Sequence, residues 1–187
     1  VDLDIVNPYF RTNDARNVLM KNGIKVVANN YASSNVDMPT MPLDILSVFS
    51  NDNSVVVFDV GGDDDGALAL GQYKQYFDKY GYEMHFIVNT KRPVTRTNDE
   101  LIEIAERIES ASRLKFTDIY NNTNLSDQTD ETTLFSGYDE IKMLSKKMGI
   151  VIKKNCGIDK ALSNVPTNLK DTVFRMNICI LRPWEIQ

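Results

Sequence analysis

Cysteine and histidine are scarce in this chain, and their scarcity limits the metal and redox chemistry open to it. Among the 187 residues there are two cysteines, Cys156 and Cys179, and one histidine, His85. The cysteines are far apart and have no metal-binding spacing, so we expect two reduced thiols in a cytoplasmic protein. His85 falls within a predicted strand, where a packed or surface histidine is a better interpretation than a catalytic one.

Long apolar runs and an excess of positive charge are also missing. No run of about 18 apolar residues is present, which argues against a membrane span, and no signal peptide is visible. The net charge of −5 and the isoelectric point of about 4.9 argue against a broad nucleic-acid-binding surface. Apolar residues make up 42% of the chain, enough for the core of one α/β domain over residues 1–187.

The first positive signal is an apolar segment that ends in an aspartate and two glycines. Residues 55–58 read Val-Val-Val-Phe and are followed by Asp59, Val60, Gly61 and Gly62. Four consecutive apolar residues are typical of a strand buried in a parallel sheet. A carboxylate at the end of such a strand, followed by glycines that admit a ligand to the backbone, suits a magnesium–phosphate group. The alternative is a strand-to-helix turn with an N-capping acid.

A second pair of acids stands at the start of the chain. Asp2 and Asp4 alternate with apolar residues, so both side chains are predicted on one side of a strand. Asn7 and Pro8 then mark a turn. Taken alone, these acids are more typical of a solvated terminus than of a site.

Helical and strand patterns alternate along the rest of the chain. This alternation predicts an α/β fold with a mostly parallel sheet, right-handed crossovers and helices on both faces. The predicted helices cover residues 14–22, 43–50, 66–79, 98–114 (capped by Asn98), 137–148 and 158–163. The predicted strands cover residues 24–28, 84–88, 116–120 and 150–152, and a further strand starts at residue 55. Residues 29–42 and 121–133 are predicted loops, and 174–181 an extended or helical piece.

Three segments, in this order, resemble the motifs of one ATPase group. The opening VDLDIVNP resembles the second strand and switch I of the deviant-Walker-A P-loop ATPases, the group of MinD, ParA and the nitrogenase iron protein. The segment VVVFDVGGDDDG resembles their Walker B strand and switch II, and FTDIYNNTNL resembles the strand and loop that hold adenine. The resemblance covers nearly the whole chain and implies a P-loop NTPase-like fold.

The resemblance implies roles for the acids and for one glycine. Asp59 would hold Mg²⁺, through a bound water, and Asp2 would support the metal shell. Asp4 would orient or deprotonate the water that attacks ATP, and the backbone N–H of Gly62 would contact the γ-phosphate. The group also implies that Asn121 or Asn122 recognises adenine through its side-chain amide, although either could equally be a turn-forming asparagine. ATP and Mg²⁺ are therefore the expected cofactors.

One motif of the group is absent from these residues. Its phosphate-cradling loop contains glycines and a lysine followed by serine or threonine, and no glycine here is followed by lysine. In the group this loop belongs to a strand–loop–helix unit upstream of the segment that Val1 begins. We therefore expect an N-terminally truncated domain that binds ATP weakly or not at all and has an unpaired sheet neighbour. A relative that genuinely lacks the loop is the alternative.

Three functions follow from these observations. The first is an ATP-dependent switch in which residues 4–11 and 59–65 respond to ATP across a homodimer interface and signal to an unidentified protein partner. The second is a degenerate module that binds a partner and hydrolyses nothing. The third is a phospho-acceptor receiver domain with Asp59 as acceptor, which the Asp-x-x-Gly-Asp ending and the chain length disfavour.

Overall fold

A computed structural model describes residues 1–4, 12–28, 44–50 and 54–180. Its helices are α1 (Arg16–Lys21), α2 (Asp44–Val48), α3 (Asp64–Gly71), α4 (Lys74–Tyr80), α5 (Asn98–Ser112), α6 (Glu131–Phe135) and α7 (Tyr138–Met148). Its strands are β1 (His85–Val88), β2 (Asp118–Asn121), β3 (Val151–Gly157) and β4 (Val173–Arg175). Short 3-10 helices cover Thr12–Ala15, Ser126–Gln128, Asp159–Leu162 and Thr167–Thr172. The predicted α/β class is confirmed.

The four strands form one sheet in the order β1-β2-β3-β4, and every neighbouring pair is parallel. His85 pairs with Asp118, and Asp118 pairs with Val151, so the first three strands begin at about the same level, at the amino end of the sheet. A register shift between Ile119 and Tyr120 interrupts the pairing of β2 with β3. Because the spatial order follows the chain order, right-handed crossovers place the connecting helices on one face.

Parallel pairing continues at the N-terminal end in a less regular form. The first segment (residues 1–4) lies between residues 26–28 and the valine segment, which we define as residues 54–60. Asp2 forms single parallel bridges with Ala28 and with Asp59. The strands predicted at residues 24–28 and from 55 thus each contribute one bridge rather than a regular ladder.

Two apolar clusters pack the helices against these strands. The first contains buried residues of α3, α5, α7, β1 and β2 together with Phe116: Ala67, Phe86, Val88, Leu101, Ala105, Ile108, Phe116, Ile119, Ile141 and Leu144. The second contains Leu3, Ile45, Leu70, Tyr73, Phe77 and Leu114, with Phe58 and Val60 packed against it. The first segment and the valine segment therefore rest on the same apolar layer as α2, α3 and α4.

Several helices differ from the sequence prediction. The predicted loop 121–133 contains the 3-10 helix Ser126–Gln128 and the start of α6, and the predicted helix 158–163 is a 3-10 helix. Thr97, not Asn98, caps α5: its side chain accepts from the Glu100 N–H, and the Glu100 carboxylate accepts from the Thr97 N–H at 2.9 Å. The predicted helix 66–79 is two helices, α3 and α4, separated at Gln72 and Tyr73. The Tyr73 ring at this break is buried in the second apolar cluster.

The cap of α6 gives the fold a pH dependence. Hydrogen bonds from the side chain and backbone of Thr133 and from the side chain of Thr132 lower the pKa of Asp130 from 3.8 to about 2. Because the pKa is lower in the folded state, the charge stabilises the fold above about pH 4 and loses this effect as pH falls toward 2. We expect Asp130→Asn, which keeps a capping side chain, to be less stable than the wild type at neutral pH.

The two proteins should become equally stable as pH approaches 2. Urea denaturation of both proteins between pH 2 and 7 measures this convergence, and carboxyl-carbon NMR measures the pKa of Asp130 directly. A difference in unfolding free energy that stays constant over this range would show that the charge of Asp130 contributes nothing.

Candidate functional site

Three of the predicted carboxylates lie at the ends of neighbouring parallel segments. The Leu3 N–H donates to the Asp59 carbonyl oxygen at 2.8 Å, and the Asp59 N–H donates to the Val1 carbonyl oxygen at 2.8 Å. This pairing puts Asp4 next to the residues that follow Asp59. The Asp4 N–H also donates to Asp2 Oδ1 at 3.1 Å, which brings the two N-terminal acids together.

The carboxylates share one face of the sheet. Leu3, Phe58 and Val60 pack into the second apolar cluster, on the face that carries α2, α3 and α4. Because side chains alternate along extended segments, Asp2, Asp4 and Asp59 point to the opposite face. Asp2 is buried, whereas Asp4 and Asp59 are half-buried. The arrangement is an acidic group that remains partly accessible to solvent.

The glycine turn, formed by Gly61 and Gly62, packs closely against these carboxylates. An added Cβ on Gly61 would lie 3.2 Å from Asp4 Oδ1 and 3.5 Å from Asp63 Oδ1. Asp63 caps α3 by accepting the Gly66 N–H at 2.9 Å. Gly62 is exposed and has open space around the position of a Cβ. Gly61 is therefore packed beside an acid, whereas Gly62 faces solvent.

Thr12 joins the site, although it is not among the residues predicted from the sequence. Its hydroxyl donates to Asp59 Oδ2 in a very short hydrogen bond. Thr12 opens the 3-10 helix that precedes α1. Residues 5–11, which make up most of the predicted switch I, lie outside the described residues. The only sequence signal was its position after that predicted switch. The contact links the exit of one predicted switch to the first residue of the other.

The two candidate adenine ligands have different environments. Asn121 is fully buried: its Nδ2 donates to the Leu134 carbonyl oxygen at 3.1 Å and to Asn155 Oδ1 at 3.0 Å. Its Oδ1 accepts from the Thr123 N–H at 3.1 Å, so both ends of the amide are used inside the protein. Asn122 is half-buried, and among the described residues no partner for its side chain is found. Asn122 is thus the better placed of the two to contact a ligand.

A second cluster of ionisable groups lies at the amino end of the sheet. His85 Nδ1 is 2.6 Å from Asp118 Oδ1, and His85 Nε2 is 3.7 Å from Glu83 Oε2. Lys153 Nζ binds Glu83 Oε2 at 2.7 Å and Asp118 Oδ2 at 3.1 Å. Hydrogen bonds to Glu83 and then Asp118 raise the pKa of Lys153.

Glu83, His85 and Asp118 are residues of types that bind metals, and their potential ligand atoms lie within 4.8 Å of one another. The Lys153 ammonium already bridges the two carboxylates, so a metal ion would have to displace it. We interpret the cluster as an internally satisfied ion-pair network. His85 is thus an exposed residue of β1 with Asp118 and Glu83 as its partners.

The two thiols and the helices agree with the simpler sequence predictions. Cys156 and Cys179 form no disulfide, and burial raises the pKa of the Cys156 thiol to about 11. Within the described residues, no helix combines the length and apolarity that crossing a membrane requires.

Comparisons of the chain with models of protein families, with curated proteins and with solved structures found no significant match to any of them.

Proposed function

We propose that the intact protein is an ATP-dependent molecular switch of the MinD and ParA type, with Mg²⁺-assisted hydrolysis of ATP. The observation that carries this proposal is the convergence of Asp2, Asp4 and Asp59 on one face at the ends of adjacent parallel segments. Open α/β sheets bind ligands at this position. The glycine turn beside Asp4 adds a backbone that a phosphate can approach.

The donor set suits Mg²⁺, which binds carboxylate oxygens and keeps several of its waters. Asp59 would hold the ion, and when bound the ion would neutralise charge that develops on the phosphates. Asp2 supports the site by accepting the Asp4 N–H, which fixes the backbone that carries Asp4. Asp4 would then orient or deprotonate the attacking water.

Two further features support a switch rather than a static site. The exposed Gly62 N–H is available to the γ-phosphate. Thr12, the residue after the predicted switch I, donates to Asp59, the first residue of the predicted switch II, so a change at Asp59 alters a contact next to the first switch. We assign adenine recognition to Asn122, because the amide of Asn121 is used inside the protein.

The proposal extends to assembly and location. We propose a cytoplasmic homodimer that acts on an unidentified protein partner, because ATPases of the resembled group use the two switches across such an interface. The lysine-containing phosphate loop of that group is not among these 187 residues. ATP binding by these residues alone is therefore expected to be weak or absent, and micromolar binding in calorimetry would contradict the assignment.

A second candidate function is a non-hydrolysing module that binds a protein partner. Charge favours it: Asp63 occupies the Gly66 N–H, and Asp64 and Asp65 follow in the first turn of α3. Acids at this position repel phosphate unless a cation compensates for them. ATP turnover measured on the intact protein separates the two candidates.

The experiment that tests the proposal compares two aspartate variants in the intact protein. Asp4→Ala should lower ATP turnover by about a hundredfold or more, because general base and water-positioning groups contribute on this scale. Asp139→Ala is the matched control, since Asp139 is an exposed acid of α7 paired with Lys142. Unchanged turnover in Asp4→Ala would remove the role of Asp4, and no turnover in the wild type would favour the binding module.

A further inference from the structure

The connection from β1 to α5 carries a concentration of positive charge. Lys91, Arg92 and Arg96 fall within this connection, and all three residues are exposed. The chain as a whole has a net charge of −5, so these cations stand out from an acidic protein. We call residues 89–97 the cationic loop.

The charges of the cationic loop are poorly neutralised. Several other exposed cations of the protein pair with acids at 2.5–3.3 Å. Among the described residues, the side chains of Lys91 and Arg92 form no ion pair. Arg96 lies near one acid: hydrogen bonds from Thr97 lower the pKa of Glu100, and the charge of Arg96 adds to this effect. The loop therefore keeps most of its positive charge available for a partner.

Hydrogen bonds to Asn89 and Thr95 hold the cationic loop in one conformation. The Asn89 side chain accepts from the Lys91 N–H at 3.0 Å and from the Asn124 N–H at 3.2 Å. Thr95 is buried, and its hydroxyl donates to the Asn89 carbonyl oxygen at 2.6 Å. The capping box at Thr97 fixes the exit of the loop into α5. Because the backbone is already ordered, a partner binds without a large entropic cost for the loop.

Apolar side chains accompany the cations on this surface. Pro93 and Val94 lie between Arg92 and Arg96 in the chain, and Val94 is 62% exposed. Leu125, on the loop after β2, is 47% exposed and follows the residue that Asn89 binds. Exposed apolar groups with a polar rim are typical of protein interaction sites. The surface thus suits a partner that offers both negative charge and apolar contact.

The backbone of the cationic loop argues against a phosphate ligand. Loops that bind phosphate direct free N–H groups at the anion. Here the Arg92 N–H donates to the Asn89 carbonyl oxygen at 3.2 Å, and the Thr95 N–H donates to the Arg92 carbonyl oxygen at 3.2 Å. The Arg96 N–H donates to the Glu100 carboxylate at 2.9 Å. These N–H groups are used inside the protein, so the side chains of the loop must supply the contacts to an anion.

The composition of the cationic loop argues against a nucleic acid. Such a ligand requires a broad basic surface, and aromatic side chains commonly stack on its bases. Residues 89–97 contain no aromatic side chain, and the chain that surrounds them is acidic. Carboxylates are well matched by the ammonium and guanidinium groups of this loop without any stacking contact.

We infer that the cationic loop binds an acidic segment of a partner protein, in which carboxylates flank an apolar side chain. Lys91, Arg92 and Arg96 bind the carboxylates, and Val94 packs against the apolar side chain. Complementary charge specifies the acidic segment, and the exposure of Val94 specifies the apolar contact. The inference gives the unidentified partner a stated chemistry. It uses none of the carboxylates around Asp59, so it applies to both candidate functions.

Binding of a defined peptide by the full 187-residue chain tests this inference. The probe is a fluorescent peptide of glutamates with leucines between them, and fluorescence anisotropy measures its Kd without ATP or metal. Replacement of Lys91, Arg92 and Arg96 together by glutamine should raise this Kd by about tenfold or more, because each exposed charge pair contributes a factor of about 1.5 to 5. No binding by the wild type at a protein concentration of about 1 mM would overturn the inference.

A matched variant removes the same charge from another part of the surface. Lys146, Lys147 and Lys170 are exposed, and their joint replacement by glutamine changes the net charge equally. This variant should bind the peptide within about twofold of the wild type. Equal losses in the two triple variants would overturn the inference, because the peptide would then respond to net charge alone. If the first triple variant does not fold, Arg92→Gln alone should still raise the Kd by about twofold or more.

A double-mutant cycle tests the apolar contact separately. Val94→Ser should weaken binding of the leucine-containing peptide by about threefold or more. The same variant should not change binding of a peptide with serine in place of leucine. Equal effects on the two peptides would show that Val94 does not contact the leucines, and would overturn the stated partner chemistry.

Amide NMR of the peptide complex locates the bound segment. Chemical shift changes in residues 90–97 and at Leu125 would support the inference, whereas changes confined to other residues would overturn it. Tighter binding of an oligothymidylate in competition with the peptide would identify a nucleic acid as the occupant. Loss of peptide binding as the protein self-associates would identify a second copy. Either result overturns the inference but leaves the proposed carboxylate site untouched, and a failure of ATP turnover leaves the cationic loop untouched.

Discussion

Replacement of Asn121 by alanine is expected to lower the free energy of unfolding by about 2–4 kcal/mol. The variant removes a buried amide and leaves three groups without it: the Leu134 carbonyl oxygen, Asn155 Oδ1 and the Thr123 N–H. Each buried polar group that loses its partner costs about 1–3 kcal/mol, but relaxation and entering water recover part of the sum. Urea denaturation followed by circular dichroism measures the loss.

Asn122→Ala is the matched control for this prediction. Asn122 is half-buried, and no partner for its side chain is found among the described residues, so its loss should change stability by less than about 0.5 kcal/mol. In the intact protein the same variant should weaken ATP binding, because we assign Asn122 to adenine. Wild-type stability in Asn121→Ala would show that the buried amide network contributes little, and would reopen Asn121 as a ligand.

The network around Asn121 also predicts coupling between positions that are far apart in the chain. Asn155 receives one hydrogen bond from Asn121 and donates another to Thr172 Oγ1 at 2.9 Å. Double variants within such a network are expected to show interaction energies of about 0.5–3 kcal/mol. The carboxyl ends of β2 and β3 are thus tied together by side chains as well as by the ladder, which gives the loop after Asn121 a rigid base.

The convergence of the acids was predicted through the resemblance, because local rules place Asp2 and Asp4 on one side of a strand but do not bring them to Asp59, which is distant in the chain. The alternation of Asp2 and Asp4 with apolar residues predicts that both side chains lie on one side of a strand. Parallel strands have their carboxyl ends at the same end of the sheet. The bridge between Asp2 and Asp59 agrees with that prediction. The glycine turn and the Asp63 cap were likewise predictable, since both are encoded within a few residues.

The choice between Asn121 and Asn122 could not be predicted from the same rules. Alternation sends adjacent side chains to opposite faces, but β2 is a central strand that is largely covered on both faces. Only the distant partners Leu134 and Asn155 show which amide is internal. The contact of Thr12 with Asp59 was hidden for the same reason, because 47 residues separate the two positions.

The exposure of the valine segment could not be predicted from the sequence. Four consecutive apolar residues predict a strand buried in a parallel sheet. In the structure Val55 is 95% exposed and Val57 is 72% exposed, whereas Phe58 and Val60 pack into the second apolar cluster. The exposure of the two valines is a property of the assembled sheet, although their sequence is that of a buried strand.

Gly66→Ala is expected to destabilise the protein by about 1–3 kcal/mol, although alanine is the better helix former. An added Cβ would lie 2.8 Å from the Gly61 Cα and 2.9 Å from its nitrogen and carbonyl oxygen. These are backbone atoms, so they cannot move aside as a flexible side chain would. The propensity gain of about 0.5–1 kcal/mol has the opposite sign, so the sign of the measured change reports the contact.

Gly62→Ala is the matched comparison, because no atom lies within 4 Å of its added Cβ. Its stability should stay within about 0.5 kcal/mol of the wild type. Gly66→Ala should also disturb the site, since Gly61 lies directly against Asp4 and any shift of the turn moves the two apart. Chemical denaturation of both variants measures the first effect, and ATP turnover of the intact protein measures the second. If Gly66→Ala is as stable as the wild type, α3 does not pack on the glycine turn as described, and the turn is then free to move independently of the helix.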